Sequence, residues 1–195
     1  LMHYGEQSLI AAGLGPIAGV DEAGRGACAG PLVIASVVLR DYQSSLIGQL
    51  RDSKELSPSK RDELFDSIHS EAMSISVIEV SSEEIDRRGV HAANLDGMRR
   101  AVEALSTKPN YVLTDGYPIA GMSVPSLAIW KGDQVAPSIS AASIIAKVTR
   151  DRIMDEFCLK YPEYGFEKHK GYATAAHTKA LLEYGATAIH RRSYA

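Results

Sequence analysis

Four acidic residues stand at or just past the ends of short apolar runs. Asp21 and Glu22 follow Ile17-Ala18-Gly19-Val20, Asp115 follows Tyr111-Val112-Leu113-Thr114, and Asp133 comes shortly after Ser126-Leu127-Ala128-Ile129-Trp130. Such runs read as strands, and a strand that ends in an acid puts its carboxylate on the rim of a sheet. Several strands of this kind can bring carboxylates within a few ångströms of one another. Left alone, they repel and raise each other's pKa. Divalent cations remove that penalty, and an all-oxygen ligand set without Cys or His selects the hard ions Mg²⁺ or Mn²⁺. Two such ions, roughly 3.5–4 Å apart, activate a water and stabilise the leaving oxygen in phosphodiester hydrolysis. Each acid taken singly is as well explained as a turn former or a helix cap. The adjacent pair Asp21-Glu22 resists that explanation more, because it sits between an apolar run and Ala23-Gly24-Arg25-Gly26.

Gly24 and Gly26 lack a Cβ, so their backbone groups can approach a ligand closely. Arg25 between them offers a planar fork suited to phosphate. Short Gly-x-Gly turns are common, and the motif alone identifies nothing. These residues on their own reach no further than a metal-dependent phosphoesterase.

The elements that must position these groups can be read along the chain. Pro31 to Leu39 is rich in β-branched residues and reads as a buried strand. Ser57-Pro58 is a helix start, and Ile75 to Val80 alternates as a strand. Ser81 to Glu84 caps a short helix, and Ala92 to Leu105 is a longer amphipathic one. Ser138 to Phe157 reads as a long helix, and Thr174 to Tyr184 as a last one closed by Gly185. Strands in succession followed by strands separated by helices predict a mixed α/β sheet flanked by helices. The core is expected over residues 1–160, with residues 161–195 a small helical subdomain of the same unit.

The composition fits one soluble globular core: 195 residues, 45% hydrophobic and 23% charged, with a net charge of −3. No global basic signature is present. From Lys147 to Arg192, however, nine Lys and Arg face six Asp and Glu, with three of the six histidines added. That asymmetry hints at a polyanion partner. The two cysteines, Cys28 and Cys158, have no metal-ligand spacing and fit a reducing compartment. The opening residues lack a secretory pattern and no run is long enough to span a bilayer, so a cytoplasmic location and no membrane partner are expected. A monomer is expected as well.

The longer string Gly19-Val20-Asp21-Glu22-Ala23-Gly24-Arg25-Gly26, followed by Ala29-Gly30-Pro31-Leu32-Val33, resembles the opening signature of the ribonuclease HII family. Further blocks match in order. They are Asp52-Ser53-Lys54 with Leu56-Ser57, Asn94-Leu95 with Met98, and Leu113-Thr114-Asp115-Gly116. Lys131-Gly132-Asp133 then leads into the helix Ser138 to Asp151, followed by Tyr164-Gly165-Phe166, His169-Lys170-Gly171-Tyr172 and His190-Arg191-Arg192-Ser193. The resemblance spans residues 17 to 194. One departure is Ala173, where the family usually has Gly after the tyrosine.

The resemblance implies a ribonuclease H-like sheet and an endonuclease that cuts the RNA strand of RNA–DNA hybrids, leaving 3′-OH and 5′-phosphate ends. Asp21, Glu22, Asp115 and Asp133 would hold two ions, Mg²⁺ or Mn²⁺, with Asp21 bridging them. The Gly24-Arg25-Gly26 loop would sense the ribose 2′-OH, the group by which a protein tells RNA from DNA. Tyr172 would stack on the deoxyribose just past the cut, allowing cleavage 5′ to a single ribonucleotide embedded in duplex DNA. Lys54, Lys147, Arg150, Lys168 and Lys170 are candidates for phosphate contacts, which give affinity rather than sequence choice. Asn94 and Ser143 are candidate substrate or supporting groups. His169 is expected to be structural or phosphate-facing, and Trp130 to be core. The alternatives are a ribonuclease HIII-like relative, which would normally carry an extra N-terminal domain, and a non-catalytic hybrid-binding module, which would predict a missing acid.

Overall fold

The computed structural model describes residues 4–50 and 56–194; Lys54 lies outside the described residues. Five strands form one mixed sheet. β1 (Ile17–Ala23), β2 (Leu32–Leu39) and β3 (Ala72–Val80) run antiparallel in succession, while β4 (Tyr111–Asp115) and β5 (Ser126–Ile129) run parallel to β1 on its other side. The spatial order is β3-β2-β1-β4-β5, so β1 is central. A strand buried on both faces reads as a continuous apolar run. That explains β2, Leu32-Val33-Ile34-Ala35-Ser36-Val37-Val38-Leu39, in which every residue is buried.

Helices cover both faces. α1 (Tyr4–Ala11) opens the chain, and the antiparallel strands are linked by α2 (Pro58–Glu71). α3 (Ser82–Arg88) and α4 (Val90–Glu103) separate β3 from β4. The short α5 (Gly132–Val135) precedes the long α6 (Pro137–Lys160), and α7 (Phe166–His169) and α8 (Ala175–Tyr184) close the chain. Helix starts follow the cap chemistry in the sequence: Ser57 accepts from the Lys60 N–H, Ser81 from that of Glu84, and Thr174 from that of His177. α1 was not foreseen from the sequence. Its Glu6 is buried and accepts from the backbone N–H and hydroxyl of Ser138, supplying the first turn of α6 with the cap its own N-cap residue, Ala136, lacks.

Two apolar clusters sandwich the sheet. One lies between β2 and the helices α2 and α6, around Val33, Val37, Leu64, Ile68 and Ile145; the other lies under α4, around Val20, Ile34, Met98 and Val112. A third, smaller cluster of Ala29, Met154, Tyr164, Phe166, Ala180 and Ile189 joins the C-terminal segment to the end of α6.

The first half of α6 is rich in small residues, Ser138, Ser140, Ala141, Ala142 and Ser143, and all are buried. They let the helix lie directly on β1. At Gly19 the backbones meet, and an added Cβ would come 2.1 Å from the Ser138 carbonyl carbon and 2.3 Å from the Ile139 nitrogen. Backbone cannot move aside as a side-chain tip can. Gly19→Ala is therefore expected to destabilise the protein by about 3 kcal/mol or more, read as a lower urea midpoint at unchanged slope. A stability loss of only a few tenths of a kcal/mol, the midpoint shift times the slope, would show that the helix is not seated on β1.

Candidate active site

Asp21 lies within β1 rather than at its end, two residues before the strand stops, and its side chain is 5% exposed. Asp115 is the last residue of β4, one step along from Thr114, which pairs with Val20. Asp133 is not on a strand rim, as its position in the sequence suggested. It sits in α5, the helical turn after β5, and is 3% exposed. One carboxylate oxygen from each of these three residues lies within 4.8 Å of the others. Glu22 is half-buried and borders the same cleft, next to Asp21 but outside that three-carboxylate group.

The neighbours hold this cluster in shape. The Gly132 N–H donates to Asp115 Oδ1 at 2.7 Å, and the Glu22 N–H to Asp21 Oδ1 at 2.7 Å. Ser143 on α6 hydrogen-bonds the Asp21 carboxylate, so this residue supports an acid of the cluster. Burial, then the charges of Glu22 and Asp115, push the Asp21 pKa well up; the hydrogen bonds from Ser143 and the Glu22 backbone only partly oppose this.

Asp21, Glu22, Ala23, Gly24, Arg25, Gly26, Asp115, Ser143, Lys147 and Tyr172 line one open cleft of about 400 Å³. The sequence-predicted loop, tyrosine and acids therefore share a wall. Asn94 does not. It is fully buried in α4, so the expectation that it meets substrate is corrected: no solvent-borne ligand reaches its side chain.

The glycine loop is held from behind by two buried arginines. Arg150, 1% exposed, donates to the carbonyl oxygens of Ala29 (3.0 Å), Pro31 (2.9 Å) and Lys170 (2.9 Å). Burial pushes its guanidinium down to about 10, which leaves it charged at neutral pH. It is a clamp, not the phosphate ligand the sequence suggested. Gly24, at φ +87°, packs against it, and a Cβ there would come 1.8 Å from Arg150 Nε. Arg191, 3% exposed, donates to the carbonyls of Gly30 (3.0 Å) and Arg25 (3.1 Å).

In the same wall, Tyr172 is 40% exposed, with its ring centroid 5.4 Å from the Arg150 guanidinium carbon. Its segment is tied to the glycine loop through the N–H groups of Cys28 and Ala29, which donate to the Gly171 carbonyl at 3.0 and 3.1 Å. His169 engages backbone with both ring nitrogens, at Tyr164 O and Gly171 N, and so is a structural residue.

Tyr117 was missed from the sequence. Its hydroxyl accepts from Arg25 Nη1, and the Arg25 guanidinium carbon lies 4.6 Å from its ring centroid. The signal was available in its place, two residues past Asp115 in the turn that delivers that acid. Two of the candidate lysines are already paired. Lys147 bridges to Asp151 at 2.6 Å, and Lys170 pairs with Asp155. Trp130 corrects another expectation: it is 81% exposed, not core.

The donor set fits hard divalent cations: three carboxylates, mostly buried, converge without Cys or His. The raised pKa of Asp21 gives a sign to test. An acid whose folded pKa lies above its unfolded value weakens the fold once it ionises, and the penalty is absent below the unfolded pKa. In EDTA at neutral pH, Asp21→Asn is thus expected to melt above the wild type. The margin should shrink as the pH is lowered toward the ordinary aspartate range. A variant that melts lower than the wild type at neutral pH in EDTA would contradict the electrostatic account of the cluster.

The family model described as Ribonuclease HII matches residues 18–195. The chain is 53% identical to the ribonuclease HII of Saccharopolyspora erythraea over 97% of its own length and 83% of the relative's. It is 56% identical to that of Frankia alni, over 97% of its own length and 79% of the relative's. Among solved structures, ribonuclease H2 from Pyrococcus horikoshii superposes with a TM-score of 0.79 at 32% identity, covering 91% of this chain and 92% of that one.

Proposed function

This chain belongs to the ribonuclease HII family and is a ribonuclease H, and from that premise we propose that it cuts the RNA strand of RNA–DNA hybrids, including 5′ to a single ribonucleotide in duplex DNA. The observation that carries the reading is the convergence of Asp21, Asp115 and Asp133 in the wall that also holds the Gly24-Arg25-Gly26 loop and Tyr172.

Asp21, Glu22, Asp115 and Asp133 would hold two divalent ions, Mg²⁺ or Mn²⁺, with Asp21 as the shared ligand. When bound, such ions supply an activated water and stabilise the leaving 3′ oxygen, leaving 3′-OH and 5′-phosphate ends. The protein's own part is positioning. Ser143 and the Gly132 N–H fix the two acids between which a phosphate oxygen would be presented. The glycine loop, clamped by Arg150 and Arg191, offers rigid backbone groups to a ribose 2′-OH. Tyr172, in the same wall, would pack its ring against a deoxyribose, where a 2′-OH would crowd it. Lys147 and Lys170 would add phosphate affinity by exchanging their carboxylate partners for substrate, a salt-sensitive contribution.

The decisive assay is a labelled duplex carrying one ribonucleotide, incubated with Mg²⁺, with Mn²⁺ and with EDTA. Cleavage 5′ to the ribonucleotide with either ion and none in EDTA is expected; cutting that persists in EDTA would refute the metal role. Asp21→Asn should abolish turnover while hybrid binding remains, and retained turnover would remove Asp21 from the mechanism. Tyr172→Ala should cut the single-ribonucleotide duplex about tenfold more slowly, from the value of one aromatic stack, and an all-RNA hybrid less so. Equal losses on both substrates would end the junction role of Tyr172.

A further inference from the structure

The segment that carries Asp133 also carries exposed apolar side chains that the catalytic reading leaves unused. Trp130 is 81% exposed, and Leu127 and Val135 are 48% and 47% exposed. Tryptophan is highly buried on average, so an exposed one next to a catalytic rim calls for a partner. Among the described residues its ring makes no aromatic or cation–π contact.

The position of this patch is tied to the chemistry. Ile129, the residue before Trp130, pairs with Asp115 across β4 and β5. Gly132, two residues after it, donates its N–H to Asp115 Oδ1, and Asp133 is part of the carboxylate cluster. Trp130 therefore occupies the turn that connects one acid's partner strand to the next acid. Lys131, exposed beside it, holds a left-handed backbone with φ 52°. Among the described residues its ammonium makes no ion pair, in contrast to Lys147 and Lys170.

We propose that Trp130 and Lys131 form a second contact for the nucleic-acid duplex, the ring packing on a sugar or base face of a nucleotide flanking the cut and the ammonium meeting its phosphate. The occupant is a duplex because it must run on past the carboxylates: successive phosphates of a strand recur about every 3.4 Å along the axis. A duplex with one phosphate at Asp21 would extend past Asp115 and Asp133 toward the turn that carries Trp130 and Lys131. Charge complementarity picks the same partner, since a free cation beside an aromatic face suits a sugar–phosphate backbone. This contact rests on the hybrid-cleavage reading and deepens it.

Trp130 is the sole tryptophan of the chain, which makes the protein its own reporter. A labelled RNA–DNA hybrid is titrated with the non-cleaving Asp21→Asn protein, following hybrid anisotropy and, per mole of protein and relative to a titration without hybrid, tryptophan emission in the same cuvette. Rising anisotropy with a matched, saturable change in emission is the expected result. Rising anisotropy with unchanged emission overturns the Trp130 contact and leaves the hybrid reading standing. No rise in anisotropy removes hybrid binding itself, and the contact falls with it. In the otherwise wild-type enzyme, Trp130→Ala should weaken the hybrid about tenfold, mainly in KM, from the value of one aromatic stack. Trp130→Phe, which keeps an aromatic face, should recover most of that loss. Equal behaviour of both variants and the wild type would overturn the contact.

Discussion

The structure turns on a charge that the fold makes expensive. Asp21 is buried in a central strand, against a helix, with Glu22 beside it and Asp115 and Asp133 within reach. Two like charges about 4 Å apart repel by roughly 4 kcal/mol at the effective dielectric of a protein surface. That is a large share of the about 5–15 kcal/mol by which domains are stable. Hydrogen bonds from Ser143 and the Glu22 backbone are each worth about 1.5–3 kcal/mol when they meet a charge, so they orient the acid without neutralising its neighbours. Protons or cations must do that. A site that is costly when empty of counter-charge is also one that binds a dication with little rearrangement.

Much of the surrounding architecture serves to keep that site in place. The small residues of α6 and the missing Cβ of Gly19 allow helix and strand backbones to touch, which is what brings Ser143 to Asp21. Behind the glycine loop, Arg150 and Arg191 spend their guanidinium donors on backbone carbonyls instead of on carboxylates. These carbonyls belong to segments far apart in sequence, residues 25–31 and 170, so the two arginines fix the loop and the tyrosine segment as one rigid wall. Rigidity there has a chemical use: discrimination between a hydroxyl and a hydrogen on a sugar needs groups that do not yield.

The sheet and its main helices were legible because their signals are local. Ser57-Pro58, Ser81 and Thr174 open helices by capping chemistry that depends on a few neighbouring residues, and the apolar run of β2 needs no context. The acids were legible as types but not in their exact settings. Asp133 looked like a strand-end residue because the run before it is apolar, whereas Lys131 adopts a left-handed backbone and turns the chain into α5. Arg150 looked like a phosphate ligand because its charge shows in the sequence, while the carbonyls it binds do not. Trp130 was misread for the opposite reason: its bulk suggests burial, and only the three-dimensional turn exposes it. Asn94 and α1 went astray because their burial depends on distant partners that no local pattern announces.

The central claim is that Asp21, Asp115 and Asp133 form a shared cation site. Titration of the protein with Mn²⁺, with free ion followed by its EPR signal, tests it directly. The account predicts saturable loss of the free-ion signal by the native protein and its near disappearance in the folded Asp115→Asn protein. Absent binding by the native protein, or equal binding by the variant, would contradict it.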